Sequence, residues 1–163
     1  MAAHLPALLE RTGATAIQAV AAAALVGPAQ VAARLAEFLV MRRAHPLVTA
    51  RFATSLHPLG ALALAALGAP AAAAFVLLHG AGNGLLTITR GTIPLALFGP
   101  AGYGARLGLL GAPARAAQAA APVLFGLLLD LMGAGVLVVS GGLCLSALAA
   151  LMVLRAGPAP THR

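Results

Sequence analysis

Long apolar stretches alternate along this chain with short joints that carry arginine, proline or glycine. A helix needs about 20 mainly apolar residues to cross a bilayer, and stretches of that length recur five times. We therefore predict an all-α fold, a polytopic membrane helix bundle that forms a single domain over residues 1–163. The predicted spans cover residues 14–33, 46–67, 71–88, 107–129 and 136–154.

The composition supports this pattern. Of the 163 residues, 61% are hydrophobic and only 8% are charged, whereas a soluble domain has about 25% charged residues. A soluble enzyme is therefore not expected, and neither a cofactor nor a metal site is predicted. The net charge of +7 comes from scattered arginines, with 4% aromatic residues and no tryptophan, which argues against nucleic-acid binding.

The arginines collect at alternate joints. Those between the first and second spans, and between the third and fourth, are Arg34, Arg42, Arg43, Arg51, Arg90 and Arg106. The joints at residues 68–70 and around Gly133 carry no charge. Because cytoplasmic loops are enriched in arginine, the pattern predicts a multi-pass protein of the inner or plasma membrane with its N-terminus outside and its C-terminus in the cytoplasm.

Glycines in the third span resemble a phosphate-binding loop at first sight. Residues 77–91 read LLHGAGNGLLTITRG, but the spacing does not match the dinucleotide fingerprint, and the chain has no lysine for a P-loop. Gly80 and Gly84 are instead four residues apart, as in helices that pack closely in membranes. On the fourth span, Gly104, Gly108 and Gly111 share one face, which also predicts close packing.

A polar stripe lies within one quarter of the circumference of the third predicted helix. It consists of His79, Asn83, Thr87 and Arg90. Asn83 and Thr87 suit either hydrogen bonding between helices or a solute pathway. His79 could relay protons, since imidazole titrates near physiological pH, or it could be a hydrogen-bonded core residue. Arg90 lies at the cytoplasmic end, where it can reach the interface.

Arg115 is the strongest single site candidate. It lies about two turns inside the fourth span, on the glycine face and one turn before Gln118. An arginine at that depth costs at least a few kcal/mol unless it faces water, a ligand or a partner. No carboxylate lies within the predicted spans, which favours an anionic ligand. A packing contact with a backbone carbonyl is the alternative.

Two stretches resemble the C-terminal half of major facilitator superfamily transporters. They are GPAQVAARLAEFLVMRRAHP and GNGLLTITRGTIPLALFGPAGYGARLGLLGAPARAAQAAAPVLFGLLLD. Gly27, Arg34, Arg42 and Arg43 match the family's glycine-to-basic loop, although Gln30 and Val31 stand where an acidic residue is expected. The resemblance implies that the spans correspond to helices eight to twelve of twelve. It also implies a missing N-terminal half or partner chain.

The same resemblance implies that the first, third and fourth spans border a central cavity, while the second and fifth are peripheral. It suggests a secondary transporter that moves a small solute by alternating access. The competing hypothesis is a membrane-embedded structural or assembly subunit, in which the glycine faces bind a partner. Arg115 separates the two, because transport should depend on its charge and packing should not.

Overall fold

The computed structural model describes residues 2–41 and 44–155, and within these ranges all regular structure is helical. The α-helices are α1 (Leu5–Arg11), α2 (Ala16–Ala23), α3 (Val26–Ala36), α4 (Pro46–Leu67), α5 (Ala72–Phe98), α6 (Tyr103–Met132) and α7 (Val136–Val153). Short 3₁₀ turns cover Ala2–His4, Ala69–Ala71 and Gly133–Gly135, and a π-helical turn covers Glu37–Met41. The predicted all-α class is confirmed.

Three segments are long and apolar enough to cross a membrane, namely Ala16–Val40, Ala69–Phe98 and Tyr103–Val153. The third contains 51 residues, which as one straight helix would measure about 76 Å against a hydrocarbon core of about 30 Å. Gly133, with φ of +56°, ends α6 and divides this segment into two helices. α4 is not among the three segments, and it carries Arg51 and His57.

The first segment is interrupted near Gly27 and Pro28. α2 ends at Ala23 and α3 begins at Val26. Pro28 has no N–H, so the carbonyl of Ala24 cannot receive the usual helical hydrogen bond. The interruption therefore lies one turn before the proline.

α5 is longer than the predicted third span. It continues from residue 88 through Pro94 to Phe98, so most of the joint that was expected to begin at Arg90 is helical. The helix ends at Gly99, whose φ of +71° favours glycine. Arg106 then donates a hydrogen bond of 2.7 Å to the carbonyl of Phe98, one of the last carbonyls of the helix.

α5 is the central helix of the described bundle. It packs between α3 and α4, and α7 packs against α4. The largest buried cluster lies where the N-terminal end of α5 meets α1 and the C-terminal end of α4, with Phe75, Leu64 and Leu8 at 0% exposure. α6 is different, since Leu129 is its sole buried residue in the described structure.

Candidate functional site

The three glycines at residues 80–84 pack on two opposite helices. A Cβ atom at Gly80 would lie 2.9 Å from the carbonyl oxygen of Val26, and one at Gly84 would lie 2.7 Å from that of Gln30, both on α3. A Cβ atom at Gly82 would lie 2.7 Å from the carbonyl oxygen of Ala53 on α4. The glycines thus allow two backbones to approach α5 at once.

The glycines of α6 meet no such neighbour. A Cβ atom at Gly104 or Gly108 would have nothing within 4 Å among the described residues, and the same holds for Gly27 on α3. At Gly111 the nearest group is the guanidinium of Arg115 from the same helix, 2.8 Å away. The predicted packing face of α6 is therefore open in this chain.

A polar seam connects α3, α5 and α6. We define it as Arg34, Asn83, Thr87, Arg90 and Gln118. Arg34 donates hydrogen bonds to the hydroxyl of Thr87 at 3.4 Å and to the carbonyl of Gly84 at 3.5 Å. Thr87 in turn donates to the carbonyl of Asn83 at 2.8 Å. The stripe predicted on one helix therefore extends to a second helix through Arg34.

Arg90 connects the seam to α6. With the Gln118 amide oxygen turned toward it, that oxygen accepts from both terminal guanidinium nitrogens of Arg90, at 2.9 and 3.1 Å. Arg115 lies one turn before Gln118, where it donates to the carbonyl of Gly108 in its own helix at 3.2 Å. Arg115 therefore lies beside the seam and does not bond to it.

The seam is open and positively charged. Arg34, Arg90 and Arg115 are all exposed in this chain. Among the residues described, the ion pair within 4 Å is Arg11 with Asp130, at 3.9 Å between α1 and α6. The acceptors of the three seam-side arginines are thus neutral amides, hydroxyls and carbonyls, which leaves their charge available to an anion.

A second polar group lies nearer the N-terminal end of α5, where the helix meets α4 and α7. We call His57, His79 and Ser140 the histidine cluster. Nδ1 of His57 is 3.1 Å from Nδ1 of His79, and Nε2 of His57 is 3.2 Å from Oγ of Ser140. These contacts join α4, α5 and α7, and His57 is only 7% exposed.

Phe75 closes the cluster on one side. Its ring centroid lies 5.7 Å from that of His57 and 5.9 Å from that of His79. Gly60 makes this possible, because a Cβ atom there would lie 3.2 Å from the Phe75 ring. The two imidazoles are therefore held in place by an apolar ring as well as by hydrogen bonds.

The histidine cluster borders a cavity of about 270 Å³ between α4, α5 and α7. The polar or titratable residues in its lining are Thr54, His57, His79, Asn83, Ser140 and Cys144. Asn83 thus belongs to both the cavity and the polar seam, one turn from His79. No group of three or more metal-ligating side chains occurs in the described part of the chain.

Several functional contacts were missed by sequence reasoning. His57 precedes a proline and was not among the predicted site residues, and Ser140 lies in a stretch with no ionisable neighbour except Cys144. Arg51 donates to the carbonyls of Leu151 and Leu154 at 3.2 and 2.8 Å, which caps α7. The predicted loop residues Arg42 and Arg43 lie outside the described residues.

No protein-family model matches this chain, and no curated protein or solved structure matches it. The functional argument therefore depends on the residues themselves.

Proposed function

We propose that this chain is part of a secondary transporter of the major facilitator type, which moves a small anionic solute across a cell membrane. The proposal includes the five spans at residues 14–33, 46–67, 71–88, 107–129 and 136–154, with the N-terminus outside and the C-terminus in the cytoplasm. The observation that carries the proposal is the open polar seam. Its arginines lie on apolar helices and form no ion pair with a carboxylate in the described structure, so they can bind an anion.

The arrangement of the helices supports the proposal. The seam joins α3, α5 and α6, and these lie in the spans that the resemblance assigns to a central cavity. α4 and α7 pack together on the other side of α5, in agreement with the peripheral role that the resemblance implies. A solute bound along the seam would contact three helices, as alternating access requires of a site shared by moving parts.

The physical role of the arginines follows from their surroundings. A guanidinium inside apolar helices lacks the hydration that it would have in water, so an anion gains more from it there than at a soluble surface. Arg34 and Arg90 would hold the anion from two helices, and Arg115 would add charge from the third. Asn83, Thr87 and Gln118 would supply hydrogen bonds that fix its orientation.

A membrane-embedded assembly subunit is the second candidate. The open glycine face of α6 favours it, because Gly104 and Gly108 have free space where another helix could approach. In that case the arginines are structural and bind backbone carbonyls, as Arg115 does with Gly108. The two candidates differ in what they require of the charge at residue 115.

Vesicles from cells that express a complete transporter containing this segment provide the test. Uptake of a panel of small organic anions should exceed that of vesicles without the transporter, and Arg115→Met should abolish the excess while membrane abundance stays unchanged. Arg90→Met should reduce uptake less, because Arg90 lies nearer the interface, and Arg11→Met serves as the charge-matched control. Loss of abundance together with uptake would assign Arg115 to folding and support the subunit hypothesis.

Orientation has its own test. Reporter enzymes inserted after residue 43 should be active in the cytoplasm, and those inserted after Gly68 should be active outside. The reverse pattern would overturn the orientation.

A further inference from the structure

One direction of hydrogen bonding satisfies every contact of the histidine cluster. We assign the hydrogen of the Ser140 hydroxyl to the carbonyl of Leu137, 3.2 Å away, so that the hydroxyl oxygen accepts from Nε2–H of His57. A neutral His57 then has a bare Nδ1, which accepts from Nδ1–H of His79. This assignment leaves Nε2 of His79 without a hydrogen and with a free lone pair.

That lone pair is accessible. Nε2 of His79 has no hydrogen-bond partner in the described structure. Every buried side-chain nitrogen or oxygen in that structure has a partner, so this Nε2 atom is not buried. His79 lines the cavity of about 270 Å³, and one water occupies only about 30 Å³. Water can therefore reach the open end of the chain of hydrogen bonds.

No fixed charge lines this cavity. The titratable groups that face the cluster are His57 from α4, His79 from α5 and Cys144 from α7, and the lining contains no arginine or carboxylate. Phe75 covers the two imidazoles with an apolar ring. A proton taken up by the histidines is thus the one positive charge that this group of side chains can acquire.

We propose that His57 and His79 form a proton-binding site that holds a single proton. A proton that enters at Nε2 of His79 makes this ring cationic, and its Nδ1 proton can then move to Nδ1 of His57. His79 becomes neutral, and the positive charge moves to His57, whose Nε2–H still donates to Ser140. A second proton would place two cations on rings whose Nδ1 atoms are 3.1 Å apart, where repulsion in an apolar interior is strong.

The site lies on the same stripe of α5 as the polar seam. His79 precedes Arg90 by 11 residues, which is about 16 Å along the helix. A proton on His79 would increase the positive potential along this stripe and so favour an anion at the seam. By linkage the anion would favour the proton to the same degree. This coupling rests on the proposed function, whereas the proton site rests on the contacts alone.

Counting protons tests the site without any solute. The purified full chain in lipid nanodiscs is titrated from about pH 8 to about pH 3, a range that includes histidine protonation. The double variant His57→Gln/His79→Gln should take up one proton fewer than the wild type. A difference of zero or of two for this pair would overturn the shared site.

The tautomers provide a second measurement that needs no variant. Nitrogen-15 NMR of histidine-labelled wild-type chain at high pH should find the hydrogen of His57 on Nε2 and that of His79 on Nδ1. Ser140→Ala should release the constraint on His57 and, through their shared hydrogen bond, on His79, and it should leave the remaining histidines unchanged. A hydrogen on Nε2 of His79 in the wild type would contradict the proposal. Neither experiment involves anion transport, so its failure is distinguishable from failure of the proposed function.

Discussion

The two polar groups along α5 differ in how they are held. The histidine cluster is enclosed by α4, α5 and α7, and His57 is 7% exposed. Further along the same stripe of α5, the seam arginines Arg34 and Arg90 are exposed and bond to neutral groups. The comparison teaches that enclosed and accessible polar groups are separated along one helix.

The largest expected effect concerns the close contact between α5 and α4. Gly82→Leu would drive a side chain into the carbonyl of Ala53, to which even a Cβ atom would approach within 2.7 Å. We expect a loss of about 3 kcal/mol or more in the free energy of unfolding, because a backbone cannot yield as a side chain can. Denaturant titration in mixed micelles measures it. Gly108→Leu, into open space on α6, should leave stability nearly unchanged, and equal losses would contradict the difference between the two helices.

An intermediate effect is expected where α4 holds the end of α7. Arg51→Gln removes two hydrogen bonds from a guanidinium to the carbonyls of Leu151 and Leu154. The last carbonyls of a helix lack partners within it, so we expect about 1–2 kcal/mol less local stability. Hydrogen exchange of the last turn of α7 should accelerate accordingly. Arg155→Gln, an exposed neighbour without this contact in the described structure, should not change it.

The smallest effect is expected at the seam. Arg34→Gln breaks long, exposed hydrogen bonds to Thr87 and Gly84, so stability should change by no more than about 0.5 kcal/mol. The same variant should weaken binding of a small organic anion, as measured by the ligand-induced shift in melting temperature. A large loss of stability without an effect on anion binding would make the seam structural and remove the contrast between the two polar groups.

The helices could be predicted from the sequence better than the contacts between them. The second predicted span and α4 share the bounds 46–67, because a proline begins the helix and Gly68 ends it. α5 was predicted to end ten residues too early, at 88 instead of Phe98, because Arg90 and Pro94 resemble a joint. The helix continues past both residues because Gln118 provides a partner for Arg90, and because the proline interrupts only one hydrogen bond.

The site was predictable only within one helix. His79, Asn83 and Thr87 share a face by helical periodicity, so the stripe on α5 follows from spacing. The contacts of His57 with His79 and Ser140 span 22 and 83 residues, and that of Arg34 with Thr87 spans 53. These contacts depend on how closely the helices approach one another. Glycines determine that distance, and the sequence does not show which helix packs on which glycine.

The glycines of α5 also bear on how this bundle can move. Because Gly80 and Gly84 fit α3 while Gly82 fits α4, sliding at either contact would bring backbone atoms into collision. α3, α4 and α5 therefore behave mechanically as one rigid block. Gly99 and Gly102, both with positive φ and open space around them, join this block to the loosely packed α6. We expect movement in this chain to be a swing of α6 about residues 99–102, with the block as its fixed frame.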